Sequence, residues 1–414
     1  MARRKRFNAV LAIVLAIICL FIGFASGYIG RIESARPTEN DAYTGNTEDS
    51  ENNNGEGDGE GDGEGDGEGD GEGDGEGDGE GGEGVIVSGS ISIHFLELGN
   101  KYTGDCTYIK AGDTDILIDA GSKKSSIPTI SEYINQFVTD GKLEYVIVTH
   151  AHEDHYAGFA TNTDEDSIFD LYECETIIDF SMTNQKQNED DDGDGFGENL
   201  YSDYLRERAD EIKAGATHYT AAQCIDMGKN KFKLSETATL TVLNQKFYRE
   251  KAETENDYSV CTLITDGDNR FLFTGDLEEE GEESLVELNH LPTVDVYKAG
   301  HHGSRTSSHD VLLNVIQPEI VCVCCCAGSS QYNAKPQNTF PSQDFVNRVS
   351  KHTDKVYVTT LCIDYKNNQF ESMNGNIVVS FTAGEATVNC SNSNTLLKDT
   401  EWFKNNRTCP ENWK

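Results

Sequence analysis

From residue 85 onward, the hydrophobic and polar positions of this chain fall into the two periods that mark strands and amphipathic helices. Residues 85–98 read as a strand, and 106–111 with 114–120 as a hairpin turning at Gly112-Asp113. Ser125 or Ser126 then caps a helix that carries Pro128 in its first turn and runs to residue 139. Residues 144–149, rich in β-branched and aromatic side chains, predict a buried strand. Further strands are predicted at 175–180, 238–243, 259–265, 270–274 and 293–299, and helices at 199–214, 278–288, 309–316 and 342–350. In VCVCCC, strand alternation would bury some of Cys322, Cys324, Cys325 and Cys326 as small apolar residues, the reading preferred over the alternative of metal binding. Strands paired early and interleaved with helices later predict a layered α/β protein.

Upstream of residue 85 this patterning disappears. Residues 31–84 are polar and, from Gly55, repeat Gly-Glu-Gly-Asp, which predicts a disordered, self-repelling linker with at most weak capture of Ca²⁺. Residues 7–30 are uncharged and hold a 17-residue apolar core at 9–25, long enough to span a bilayer. Arg3, Arg4, Lys5 and Arg6 mark residues 1–6 as a cytoplasmic end, so the expectation is a single anchor with the remainder outside the cell. The alternative is a secreted protein whose signal peptide is cleaved near Gly23-Phe24-Ala25. One span is too few for an uptake channel. The folded domain is expected at 85–390, followed by a C-terminal tail at 391–414.

Charge bears on the partners. Of the 73 Asp and Glu residues, 20 lie in 31–84, and 6 of the 33 Lys and Arg precede residue 85, which leaves 85–414 with a net charge near −26. An acidic domain repels polyanions, and no cluster or stripe of Lys and Arg marks a phosphate-tracking surface.

The chemistry is concentrated where the strand at 144–149 ends, in His150, His152, Asp154 and His155. On an extended backbone i and i+2 face the same side, so His150 and His152 converge on one cation. Asp154 and His155 follow at a turn and aim at a second position. Two later strands also end in candidate ligands: 270–274 before Gly275-Asp276, and 293–299 before Gly300-His301-His302-Gly303-Ser304. Imidazoles and carboxylates suit Zn, Mn or Fe, and paired cations activate a water at neutral pH.

With these residues assembled, THAHEDH resembles the His-x-His-x-Asp-His signature of the metallo-β-lactamase superfamily. More narrowly, FLELG at 95–99, Gly104-Asp105, LIDAG at 117–121, FTGD at 273–276 and the run from Lys298 to Ser304 are similar to the hydrolase domain of ComEC-type DNA-internalisation competence proteins, over residues 90–360. The resemblance implies an αββα sandwich with the metals at one edge of the two sheets. It implies two divalent ions, Zn or Mn: His150 and His152 on the first, Asp154, His155 and His301 on the second, with Asp276 bridging. His302, Gly303 and Ser304 then face substrate. Spacing leaves open which of His301 and His302 is the ligand, with His301 preferred. The superfamily commonly supplies one more His before the Gly-Asp. Here the candidates are His218, or Asn256 and Asp257 in Asn256-Asp257-Tyr258-Ser259, which resembles an Asn-x-x-Ser and would shift the site toward Mn. The late loop carries Asn333-Ala334-Lys335-Pro336 where the family has a His before its Pro.

The expected function is a membrane-tethered, metal-dependent hydrolase in which hydroxide attacks in line, oriented by Asp154. A phosphodiester fits best, gripped by Ser304, the amides of Gly303 and Ser304, and Lys298. The alternatives are hydrolysis of a small lactone, thioester or lactam, and a non-catalytic metal-dependent surface module. Two further features stand apart. Asp190, Asp192 and Asp194 match the start of an EF-hand-like Ca²⁺ loop that has Tyr201 at its twelfth position, so a solvated acidic insertion is the alternative. Cys390 and Cys409 are candidates for a staple on the tail.

Overall fold

The computed structural model describes residues 91–160, 166–188, 195–382 and 384–414. The expected cytoplasmic end, anchor and linker, and the Asp190, Asp192 and Asp194 loop, lie outside the described residues. No helix among the described residues is long and apolar enough to cross a membrane.

Period-two alternation and parallel apolar runs build sixteen strands among the described residues. The first six are β1 (Ile91–Phe95), β2 (Thr107–Ala111), β3 (Thr114–Ile118), β4 (Lys142–Val148), β5 (Glu173–Asp179) and β6 (Thr217–Thr220). There follow β7 (Lys231–Lys233), β8 (Ala238–Val242), β9 (Thr262–Asp266), β10 (Asn269–Phe273), β11 (Val296–Lys298), β12 (Ile320–Ala327), β13 (Val356–Asp364) and β14 (Gln369–Ser372), then β15 (Ile377–Thr382) and β16 (Glu385–Cys390). One sheet runs β16-β15-β1-β2-β3-β4-β5-β6 and the other β14-β13-β12-β11-β10-β9-β8-β7. Each holds a parallel block, β3 to β6 in the first and β10 to β13 in the second.

The sheets pack face to face. Phe95 of β1 lies 6.3 Å from Phe273 of β10, ring centre to ring centre, and Phe271 lies 5.0 Å from Phe381 of β15. β12 is buried along its whole length. Its Cys322 and Cys324 join the core between the sheets, while Val321, Val323 and Cys325 pack in a second core. The helices α1 (Ile127–Ile134), α2 (Glu153–Tyr156), α3 (Leu200–Ala214), α4 (Glu279–Leu288), α5 (Asp310–Ile316), α6 (Gln343–Val349) and α7 (Glu401–Asn406) pack on a mixed two-sheet α/β fold. Leu285, Leu312, Phe345 and Phe403 carry α4 to α7 into that second core.

Several local expectations differ from what forms. α1 stops at Ile134, not at residue 139, because the chain tightens there: the amides of Gln136 and Phe137 donate to the carbonyls of Tyr133 and Ile134. Ser126 does not cap it, since its hydroxyl accepts from Asn100 and from the Ser122 amide instead. β9 begins at Thr262, not 259, because residues 256–258 form a 3₁₀ turn. Cys390 packs on the intersheet core and Cys409 on the second one, so the expected staple does not form. The segment 391–414 folds onto the domain: Leu397, Phe403 and Trp413 are buried, and Arg407 donates to the carbonyls of Pro336, Thr339 and Pro341.

Candidate metal centre

Both parallel blocks end at one rim, the place where open α/β sheets put ligands. β3 delivers Asp119, β4 delivers His150 to His155, β10 delivers Asp276, and β11 delivers Lys298 and the loop with His301 and His302. The start of α2 is clasped closely. The amides of Asp105 and Ala120 donate to the carbonyls of Asp154 and His155, at 3.0 and 2.8 Å. That approach requires glycine at 121, where a Cβ would stand 1.6 Å from the Asp154 carbonyl oxygen. In the loop after β11, His301 and His302 adopt φ of 45° and 53°, a costly left-handed pair for residues with a Cβ. Glu282 of α4 holds the far side of this loop, accepting from the amides of Ser308 and His309 at 2.5 and 2.8 Å.

The rings of His155 and His302 each have a front and a back. At the back, Nδ1 of His155 lies 2.8 Å from Asp119 Oδ2, and Nδ1 of His302 donates to the Cys324 carbonyl at 2.9 Å. Asp119 is itself fixed by the amide and hydroxyl of Thr149. At the front, Asp276 Oδ2 lies 3.1 Å from His155 Nε2 and 3.3 Å from His302 Nε2, and Asp154 Oδ2 lies 3.3 Å from His302 Nε2. His150 joins from the side, its ring centre 4.1 Å from that of His155 and its Nε2 3.0 Å from His152 Nδ1.

Metal ligands fit this front face. Asp105, His155, Asp276 and His302 each offer a ligand atom, all within 4.8 Å of one another and all buried. Despite that crowding, His155 Nε2, His302 Nε2 and Asp276 Oδ1 have no hydrogen-bond partner among the described residues. Buried nitrogens and oxygens left in that state carry a desolvation cost that a cation offsets. Asp105 is better placed as a buttress than as a ligand. It approaches the back nitrogens of His302 and His155, at 3.2 and 3.8 Å, and forms an ion pair with Lys298.

The electrostatics agree. Burial alone would raise the Asp276 carboxyl, but His155 and His302 outweigh it and hold the group well below the usual range. Asp154 is lowered in the same way by His302 and His155, against its burial. Conversely, burial would lower the His155 imidazole, yet Asp276 and Asp119 push it up to about 10. The carboxylates demand positive charge at this spot.

Of the residues singled out from sequence, His150, His152, Asp154, His155, Asp276 and His302 come together. His301, the preferred ligand, sits at the margin: Nε2 is 3.9 Å from Asp276 Oδ2, while Nδ1 faces Thr306 and Glu278 at 3.1 and 3.4 Å. The left-handed pair turns adjacent side chains apart, and the deeper one is His302. Asn256 donates to Glu278, and Asp257 accepts from the Glu278 amide, with burial raising its carboxyl to about 6. Ser259 is the member of that trio that reaches the histidines, 3.4 Å from His150 Nδ1, while accepting from the Asp276 amide. Lys298 is buried behind the site rather than on the rim. The Ser304 amide donates to the His301 carbonyl and its hydroxyl pairs with Thr306, so neither is turned toward substrate. His218 bonds Asp179, away from the cluster. The roles of three residues were not anticipated. Asp119 and Asp105 stand in strand-end motifs whose acids signalled them, whereas Tyr332, whose hydroxyl donates to Asp154 Oδ2 at 2.7 Å, carries no local signal.

Residues 99–166 and 249–327 match the metallo-β-lactamase superfamily. Among curated proteins, the chain is 29% identical over 117 residues to Recombination protein 2 of Haemophilus influenzae, covering 28% of this chain and 14% of that protein. It is 36% identical over 114 residues to Competence protein ComA of Neisseria gonorrhoeae, covering 27% and 16%. It is 28% identical over 119 residues to ComE operon protein 3 of Bacillus subtilis, covering 27% and 14%. The aligned stretch thus spans less than a fifth of each relative's length.

Proposed function

We propose that this metallo-β-lactamase-fold, metal-dependent hydrolase cleaves phosphodiester bonds, with His150, His152, Asp154, His155, Asp276 and His302 holding two divalent cations, Zn or Mn. The observation that carries the reading is the front face of the cluster, where two buried imidazoles and two carboxylates converge with ring nitrogens left without hydrogen-bond partners among the described residues. Cations bound there supply a Lewis acid for a substrate oxygen and a lowered pKa for a water. Asp119 and the Cys324 carbonyl fix the ring orientation, which outer partners of metal-binding histidines characteristically do. Asp154, steadied by the Tyr332 hydroxyl, is placed to orient the attacking water. Lys298 offsets the charge of Asp105 and so lowers the repulsion an anionic substrate meets.

The names of the relatives, a recombination protein and a competence protein, favour DNA as the phosphodiester. The acidic balance of the domain favours a second reading, hydrolysis of a small lactone, thioester or lactam. The basic and apolar stretches before residue 31 support an outward-facing, membrane-tethered placement.

The test is elemental analysis of the purified chain, together with hydrolysis of bis-p-nitrophenyl phosphate, single-stranded DNA, a lactone and nitrocefin, with Asp154→Ala as control. Phosphodiester turnover that disappears in the variant is expected. Turnover of the acyl substrates alone would move the function to small molecules, and protein that binds no metal would overturn the catalytic reading.

A further inference from the structure

Beside the metal centre, two tyrosines and two lysines from both sheets form a patch that the mechanism does not use. Tyr102 lies in the loop between β1 and β2, three residues before Asp105, and Tyr365 follows β13 at the turn into β14. Their rings meet edge to face, with centres 6.1 Å apart at 88°. Lys101 Nζ lies 4.5 Å from the Tyr365 ring centre and 5.3 Å from that of Tyr102, and donates to the Tyr365 carbonyl at 2.9 Å. Lys123 Nζ lies 5.2 Å from the Tyr102 ring and pairs with Glu153, the neighbour of Asp154. All four side chains are half-buried, so the rings are held in place while part of each stays open to solvent. The Thr103 amide donates to Gln331, next to Tyr332, which ties the patch to the loop that touches Asp154.

We propose that Tyr102, Tyr365, Lys101 and Lys123 form a subsite for a single-stranded nucleic acid, with bases stacking on the tyrosines and phosphates on the lysines. The inference rests on the phosphodiester reading and gives it a substrate class. Aromatic faces interleaved with cations are what sequence-tolerant binding of single strands uses, and duplex bases present no free face. The patch also answers the charge objection: an acidic domain needs its cations beside the reacting centre, not over its whole surface. Three residues of chain keep Tyr102 within about 10 Å of Asp105, and Glu153, the partner of Lys123, adjoins Asp154 of the front face, so a strand stacked on the patch lies beside the metal centre.

The test is fluorescence anisotropy of a short fluorescein-labelled oligothymidylate with the full chain, at several salt concentrations. Expected is a roughly tenfold or greater loss of affinity in Tyr102→Ala/Tyr365→Ala, taking about 1–3 kcal/mol per stacked base as the guide. In Lys101→Gln/Lys123→Gln, the slope of log affinity against log salt should shrink by about 0.7 per lysine. Lys231→Gln, an exposed lysine on edge strand β7, should bind as the parent does, and inorganic polyphosphate should compete poorly. Thermal melting of each variant separates lost binding from lost fold. Absent binding by the parent, or binding insensitive to both tyrosines in folded variants, overturns the subsite. Oligothymidylate binding that depends on the tyrosines, in a chain that hydrolyses no phosphodiester, would keep the subsite and overturn the catalytic reading.

Discussion

Two buried Asp–His clusters lie at the ends of neighbouring strands and differ in what they leave unpaired. At the end of β5, Asp179 is fully buried. Its Oδ1 pairs with His218 Nε2 at 2.8 Å, and its Oδ2 accepts from the Tyr204 hydroxyl at 3.0 Å and from Arg208. After β4 and β10, His155 and Asp276, equally buried, keep a ring nitrogen and an oxygen without a hydrogen-bond partner among the described residues. The residue types are nearly the same. What separates a structural knot from a metal centre is whether the buried imidazole and carboxylate atoms have been closed by neighbouring side chains.

Substitutions should break that comparison in opposite ways. Asp276→Asn is expected to lower metal affinity and phosphodiester turnover by more than about 100-fold, beyond the range usual for outer partners. Elemental analysis and turnover of bis-p-nitrophenyl phosphate read the two effects.

The contrast also shows what the sequence made legible. His150, His152, Asp154 and His155 were visible because one short segment holds them, and a strand end gives their direction. Asp276 and the His301-His302 loop were visible as strand-end acids and histidines. The choice between His301 and His302 was not legible, since two consecutive left-handed residues obey neither strand nor helix periodicity. Nor was the work of Asp105, whose partners Lys298 and His302 come from the other sheet. Tyr332 reaches Asp154 from a loop 178 positions away, and no local pattern encodes such a contact. Among the strands, β1 to β5 and β8 to β12 follow from alternation. β15 and β16 were not predicted as strands, and their place beside β1 is a matter of tertiary packing.

Asp179→Asn should do the reverse of Asp276→Asn, costing about 3–5 kcal/mol by stranding buried charges while bound metal stays at the parental level. Urea unfolding alongside elemental analysis checks it. A smaller effect is expected at Asp119, which stands behind His155: Asp119→Asn should weaken metal binding by about 10–100-fold without abolishing it, as read by chelator competition.

His94 sharpens the comparison from a third side. It is buried on β1 with both ring nitrogens paired, to Tyr133 and Ser92, and burial lowers its pKa to about 3. Because the unfolded chain takes up that proton near pH 6.5 and the folded chain does not, His94 makes the fold less stable as pH falls from about 6.5 toward 3, by up to about 1.4 kcal/mol per pH unit. Urea midpoints across this window should decline less steeply in His94→Phe than in the parent.

The pairing of β15 with β1 has a consequence in time. The first described strand gains its second neighbour only from residues near the far end of the chain. Such high contact order slows folding, because the intervening loop must close before its contacts reward it. During synthesis, β1 therefore waits with one open edge until residues 377–382 have emerged. A shortened chain ending after β14 would contain every proposed metal ligand and still carry that edge exposed, so its failure would take the form of aggregation rather than altered chemistry.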